Sequence, residues 1–189
     1  MKILTYLLPL VFFFSCQKQN ENIEKKVLND IFLDTVDSTL IDRRIYLGFD
    51  YSKKQIDSIK KDPSKRIIAI SENLTRIYGD DLKEIPQNYK IKCDSTWKIQ
   101  PEKFNSTTYI FKKINELPFD NSFENWNNKY KTFSGVLSFS QIYFDDNLQN
   151  GIFTVTYSCS VRCAVGYLVY ITKDYNKWKI KEVRKTWIS

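Results

Sequence analysis

The chain has 189 residues, of which 42% are hydrophobic and 15% aromatic, and it carries a formal net charge of +7. This composition predicts a folded protein with a real core and excludes a disordered chain. The sequence holds no histidine, which excludes Ser-His-Asp and Cys-His nucleophile systems, histidine general bases and HExxH zinc sites.

Residues 1–15 have the features of an export signal. Lys2 supplies a positive start, and residues 4–14 form an apolar run that ends at Ser15 and Cys16. This run is shorter than the ~20 residues that a bilayer-spanning helix needs. The segment is therefore predicted to target the chain and not to span the membrane.

The small residue Ser15 before Cys16, followed by the polar residues 17–20, resembles the signal of bacterial lipoproteins. The resemblance implies that residues 1–15 are removed, that Cys16 becomes the lipidated first residue, and that residues 16–22 form a tether. Gln17 implies sorting to the outer membrane. An ordinary secretory signal with a chance cysteine is the alternative, and the polar residues after the cysteine argue against it.

Apolar residues at three- and four-residue spacing predict a helix from Ile23 to Ile41, capped by Asn20 or Asn22. Alternation over residues 43–49 predicts a strand. Residues 52–55, with Ser52 first and Gln55 fourth, predict a capping box and a short helix.

Asp62 and Pro63 predict the start of a second helix, which ends at Gly79. A strand over residues 66–71 is the alternative for part of this segment. Residues 89–93 and 107–112 are predicted strands, with a loop over 94–104 between them. A short helix packing on the sheet is predicted from four spaced aromatic residues: Phe123, Trp126, Tyr130 and Phe133.

The last third, residues 136–189, predicts four consecutive antiparallel strands, the first over 136–144. Apolar and hydroxyl-bearing residues alternate in 152–159, and apolar residues occupy the odd positions of 163–171. One register of this hairpin places three apolar pairs on one face: Tyr157 with Val165, Val155 with Tyr167, and Phe153 with Val169.

A turn over residues 160–162 in the same register places Cys159 opposite Cys163, at a separation compatible with a disulfide. Cys93 is then left as a free, buried thiol. A zinc site built from these three cysteines and a carboxylate is the alternative, but an oxidising compartment favours the disulfide. No metal and no cofactor are predicted.

The final strand is predicted to follow a turn over residues 174–177. Trp178 and Ile180 face one way and the neighbouring lysines the other, and a bulge near residues 181–182 explains the later change of phase. Lysines on a terminal strand commonly guard a sheet edge against pairing, and we prefer this interpretation to a binding role.

Residues 122–189 resemble a group of uncharacterised small proteins from Gram-negative bacteria. The resemblance rests on spaced aromatics, the segment 135–140, the cysteine hairpin, Gly166 and residues 177–180. It implies no catalytic residues. Asp94, Ser95 and Thr96 resemble the sites at which some Gram-negative bacteria O-glycosylate exported proteins, and Ser95 is the candidate because it lies in a predicted loop.

These observations predict an α+β protein in which N-terminal helices pack on a C-terminal antiparallel sheet, with residues 23–189 as a single domain. The expected function is a lipid-anchored, non-catalytic binding module, such as an inhibitor or immunity protein, with a protein or glycolipid partner. The alternative is a protein that encloses a small apolar ligand between helices and sheet, with carboxylate-based hydrolytic chemistry. Nucleic acid is not an expected partner outside the cell membrane.

Overall fold

The structure is a computed structural model that describes residues 8–46, 51–92, 98–118, 123–160 and 162–189. For residues 8–22, 46 and 124 it describes the backbone alone. The described chain is α+β, with helices in the N-terminal region and an eight-stranded, mostly antiparallel sheet. The predicted fold class is confirmed.

The first helix, α1, spans Leu8–Thr39. The predicted start at Ile23 is wrong, because the helix runs on through Asn20 and Asn22, which therefore do not cap it. The predicted apolar stripe is confirmed. The stripe is buried against the sheet through five side chains: Val27, Leu28, Ile31, Phe32 and Val36.

Two short helices follow α1. The predicted strand over 43–49 is wrong where it is described: Arg43–Tyr46 is a helical turn, α2, and residues 47–50 lie outside the described residues. Helix α3 spans Lys53–Lys61 and begins with the predicted capping box, in which Ser52 and Gln55 satisfy each other's backbone N–H groups.

The predicted helix from Pro63 to Gly79 is wrong, and the strand alternative is correct. Strand β1, Arg66–Ile70, lies between β3, Tyr109–Lys113, and β4, Phe133–Phe139, and is parallel to both. Three consecutive residues of β1 are buried, as is typical of a strand covered on both faces. Such a run has no period of two, and spaced isoleucines in it imitate a helical stripe.

The remaining elements are short, and most of those predicted from the sequence are present in the structure. The predicted strand over 89–93 is present as two residues, while its end at Cys93 lies outside the described residues. Phe133 begins β4 and is not in the aromatic helix. These elements are α4 (Asp80–Lys83), β2 (Lys90–Ile91), α5 (Phe123–Lys129), β5 (Tyr143–Phe144) and 3₁₀ turns at Pro101–Lys103 and Ile114–Glu116. The strand predicted over 136–144 is divided into β4 and β5.

The three long strands are β6, Asn150–Ser160, β7, Cys163–Asp174, and β8, Lys177–Ile188. The three predicted apolar pairs of the β6–β7 hairpin are confirmed. The predicted strand register at the end of the hairpin, with Cys159 directly opposite Cys163, is wrong. Ser160 is the register partner of Cys163, and the register shifts between residues 158 and 160. A bulge at the hairpin end therefore shortens the turn.

Strand β6 is the centre of the sheet. One edge of it pairs with β7 along most of its length, while the other pairs with β5 near Ile152 and with β4 around residues 155–158. From β4 the sheet continues through β1 to β3, and from β5 to β2. Helix α1 packs in the main core on one face. Helix α5 packs in a smaller cluster around Trp126 and Phe133.

Strand β8 pairs only with β7 among the described strands and forms one edge of the sheet. Trp178 is buried and the flanking lysines are exposed, as predicted. The register with β7 shifts between the residues that face Ile180 and Glu182, which confirms the predicted bulge near Lys181. Bulges bend an edge away from regular pairing with another strand.

Candidate functional site

The structure places the sequence-predicted site residues in three different situations. Cys159 and Cys163 lie together at the end of the β6–β7 hairpin. Cys16 lies within the backbone of α1, but its side chain is not described. Ser95 and Cys93 lie outside the described residues, so their predicted roles stay predictions.

The cysteine pair is buried under the hairpin end. The two sulfur atoms lie at disulfide distance, and the Cα atoms are 5.3 Å apart. Both side chains belong to the main apolar core, so they point to the same face of the sheet despite the bulge. The geometry suits a bond that fixes the register of the hairpin.

The chain after α1 is tied to this hairpin by two side chains. The guanidinium Nε of Arg43 donates a hydrogen bond to the carbonyl oxygen of Cys159. The Tyr157 hydroxyl lies 2.6 Å from the Ile41 oxygen and 2.5 Å from the Ser134 oxygen, and it can donate to either. Burial raises the pKa of Tyr157 far above its usual value, so this hydroxyl stays a donor.

The ring of Tyr157 needs a glycine beside it. Gly135 has a φ of +135°, and the register between β1 and β4 shifts just before it. A Cβ atom at Gly135 would lie 2.6 Å from the Ser158 oxygen and 2.7 Å from the Tyr157 ring. Gly135, which directly precedes the strand predicted over 136–144, is thus required by close packing.

A polar cleft of about 350 Å³ opens between α2, the end of α3 and the start of β1. Arg44 bridges two carboxylates across it, 2.8 Å from Asp42 and 2.5 Å from Asp62. These hydrogen bonds raise the pKa of Arg44 further, with Asp42 as the largest contributor. Arg66 stands at the side of the cleft, 4.0 Å from Asp42.

Behind the cleft, Arg66 continues the network into the protein. Its guanidinium lies 4.8 Å from the centre of the Tyr109 ring and donates to the Tyr109 hydroxyl over 3.2 Å. That hydroxyl donates in turn to Asp37 of α1 at 2.6 Å. Burial, together with the Asp37 carboxylate, raises the pKa of Tyr109 to about 12. The network joins α1, β1 and β3.

The chemistry of the cleft is that of paired charges. A hydrogen bond from the Ser64 backbone N–H is the main cause that lowers the pKa of Asp62, and Arg44 lowers it further. A carboxyl that donates a proton near neutral pH needs the opposite, a raised pKa. The sequence analysis missed this cleft. The residues at 42–44 and 62–63 are the part of the sequence that could have indicated the cleft. The sequence alone does not show that these two segments lie close together in the fold.

The interface between α1 and the sheet is filled by side chains. The Phe32 ring stacks on Phe104 at 3.8 Å between centroids and on Phe139 at 5.7 Å. Phe139 continues the stack to Phe153 at 6.5 Å. Since Phe32, Phe139 and Phe153 are at most 1% exposed, these rings occupy the space that an apolar ligand would need.

Within the described ranges, no three of the histidine, cysteine, aspartate and glutamate side chains come together as a metal site would require. Nor does any helix, over the portion of the chain that is described, combine the length and apolar character needed to cross a membrane.

Comparison with known proteins gives no relative: no family model, no curated protein and no solved structure matches the chain.

Proposed function

We propose that the protein is a lipid-anchored, non-catalytic binding module of the outer membrane, which acts through its surface. The proposal that the protein acts through its surface rests on the filled interface between α1 and the sheet, where Phe32, Phe139 and Phe153 stack. The alternative, an enclosed apolar ligand, would require a cavity at this place. Function is therefore assigned to side chains at the surface.

The lipid anchor is proposed from the sequence around Cys16, and the core packing is compatible with it. Described core contacts of α1 begin at Ile23, which packs against the main core, and Glu24 accepts a hydrogen bond from the Ile142 backbone at 3.0 Å. Residues 16–22 then lie between the anchor and the core. Gln17, directly after the cysteine, supports the outer membrane as the destination.

The anchor is tested by fractionation of cells that express the full chain. Cys16→Ser is expected to move the protein from the membrane fraction to the soluble fraction, or to block its processing. Cys93→Ser is the matched control, because it makes the same substitution elsewhere and should leave the protein in the membrane. Release of both variants, or a Cys16→Ser protein that is processed normally and stays in the membrane fraction, would contradict the proposal.

The surface-binding part is tested by native mass spectrometry of the full-length protein, extracted from its membranes in a mild detergent. We expect the mass of the lipidated chain without a bound apolar compound. A small apolar molecule that is present at one copy per chain, and is lost when Phe32→Ala disrupts the interface, would establish the alternative instead.

A further inference from the structure

A second pocket, of about 250 Å³, lies between the middle of α1 and the segment that follows residue 97. Its size is below that of pockets for drug-sized ligands and suits a small polar group. The helix contributes two residues one turn apart and the segment contributes four: Lys25, Asn29, Lys98, Gln100, Lys103 and Phe104.

Among the described residues, the lining is cationic and includes no carboxylate. Three lysines supply ammonium groups, and the amides of Asn29 and Gln100 supply neutral N–H donors. None of the three lysines forms an ion pair with a described carboxylate, although the pKa of Glu102, which a backbone hydrogen bond lowers most, is also lowered by the charge of its neighbour Lys103. The nearby acids are engaged elsewhere: Lys113 lies 3.3 Å from Glu102 and 3.6 Å from Glu72.

The segment that carries Lys98 and Lys103 is held in place before any ligand binds. Ile99 is fully buried, and its backbone N–H donates a hydrogen bond to the backbone carbonyl oxygen of Glu72 at 2.9 Å. Pro101 is also buried, at the start of its 3₁₀ turn. Phe104 closes the segment by stacking on Phe32 of α1. Little ordering of the chain is therefore required on binding.

The two pockets differ in the state of their charges. In the cleft beside α3, Arg44 is neutralised by Asp42 and Asp62. In the pocket beside α1, no described carboxylate forms an ion pair with the lysines, and Glu102, the neighbour of Lys103, is paired with Lys113 instead. Like charges gathered on one small concavity repel each other, and an anion that enters it relieves that repulsion.

We propose that this pocket, which we call the lysine pocket, binds a phosphate-type anion. The inference rests on the proposed function and deepens it, since it names the chemistry of a ligand at the surface. Lys25 follows Cys16 by nine positions in α1, which corresponds to about 14 Å along a helix axis. A lipid anchor at Cys16 places the lysine pocket close to phosphate headgroups, although free phosphate has the same chemistry.

Protection of lysines from acylation tests the site directly. The full-length lipidated protein, in micelles of a neutral detergent, is labelled with an amine-reactive reagent, and the labelling rate of each lysine is read by mass spectrometry. Bound phosphate is expected to slow the labelling of Lys25, Lys98 and Lys103. The exposed lysines Lys53 and Lys54 of α3 serve as internal references and should not change.

Three probes distinguish the sources of the anion: inorganic phosphate, micelles doped with phosphatidylglycerol, and micelles doped with phosphatidylcholine. Protection by inorganic phosphate alone identifies a soluble ligand, and protection by phosphatidylglycerol alone identifies a headgroup. Either result supports the proposal. The proposal would be overturned if the lysines of α3 were protected as much as those of the lysine pocket. It would also be overturned if phosphatidylcholine protected the pocket as well as the other probes do, or if none of the three probes protected it.

A triple variant, Lys25→Gln with Lys98→Gln and Lys103→Gln, should weaken binding of the effective probe by about tenfold, since exposed charge pairs each contribute modestly. The matched control, Lys53→Gln with Lys54→Gln and Lys61→Gln, removes the same charge from α3 and should retain the affinity. Equal losses in both variants would indicate general electrostatics and refute a site. Because the intact mass reports lipidation of Cys16 separately, failure of the lysine pocket is distinguishable from failure of the anchor.

Discussion

Replacement of Gly135 by alanine gives the sharpest prediction about the fold. The backbone there has a φ of +135°, and strain of this kind typically costs ~1–3 kcal/mol for a residue with a side chain. The new Cβ would also lie 2.6 Å from the Ser158 oxygen and 2.7 Å from the Tyr157 ring. Overpacking adds ~1–3 kcal/mol, so Gly135→Ala should lower the free energy of unfolding by about 4 kcal/mol in total.

This loss should appear in thermal unfolding of the full chain, followed by circular dichroism, as a Tm about 8–16 °C lower, from the usual shift of ~2–4 °C per kcal/mol for a chain of this size. Gly79→Ala separates strain from packing. Gly79 has a φ of 64° and a ψ of −140°, but a Cβ there meets nothing within 4 Å. Its cost should be strain alone, ~1–3 kcal/mol. If the two variants lose the same stability, the close approach to Tyr157 is wrong.

Three further predictions address the hairpin, the polar cleft and the sheet edge. Cys159→Ser with Cys163→Ser should lower the free energy of unfolding by about 2 kcal/mol and leave the protein folded, because a bond across so short a loop restricts the unfolded chain modestly. Non-reducing peptide mapping should show a disulfide between these two cysteines, and a bond from either of them to Cys93 would contradict this connectivity. In the cleft, the lowered pKa of Asp62 contributes stability that is present above its unfolded value of 3.8 and is lost as pH falls through the lower folded value. The urea midpoint of wild type should therefore fall more steeply below about pH 4 than that of Asp62→Asn, and parallel curves would argue against the pair. On β8, Lys177→Gln with Lys179→Gln and Lys181→Gln should leave the lipidated protein in the membrane fraction, whereas loss of a specific partner would reassign this edge to binding.

The sequence predicts the β6–β7 hairpin well because its physics is local. Alternation of period two assigns each side chain to a face, and one register satisfies three apolar pairs, including Tyr157 with Val165. A slip of one residue would turn all of them to the other face, so the pattern specifies the pairing strongly. The prediction differs from the structure only at the end of the hairpin, where the register shifts between residues 158 and 160 and Ser160 pairs with Cys163.

Strand β1 could not be assigned from its own residues. Ile68, Ala69 and Ile70 are all buried because strands lie on both sides of β1 and side chains cover both faces. A continuous apolar run does not distinguish a covered strand from a helix by periodicity. The decision is made by the parallel pairing with β3 and β4, which are distant in sequence.

The candidate sites show the same limit. Arg44 and Asp62 form an ion pair, and Lys25 and Lys103 line one pocket, only after the helices have packed on the sheet. The positions of single charged residues in a sequence do not show which of them will lie next to each other in the fold. Cys16 is the opposite case, since its proposed role rests on the neighbouring residues alone and the packing of the fold does not enter.

The central claim, a protein held at the membrane by Cys16, is tested most directly by mass spectrometry of the N-terminal peptide from membrane-purified protein. The account predicts a mature chain that begins at Cys16 and carries a diacylglyceryl thioether on its sulfur, with residues 1–15 removed. An unmodified N-terminus, or a chain that begins at any other residue, would contradict it.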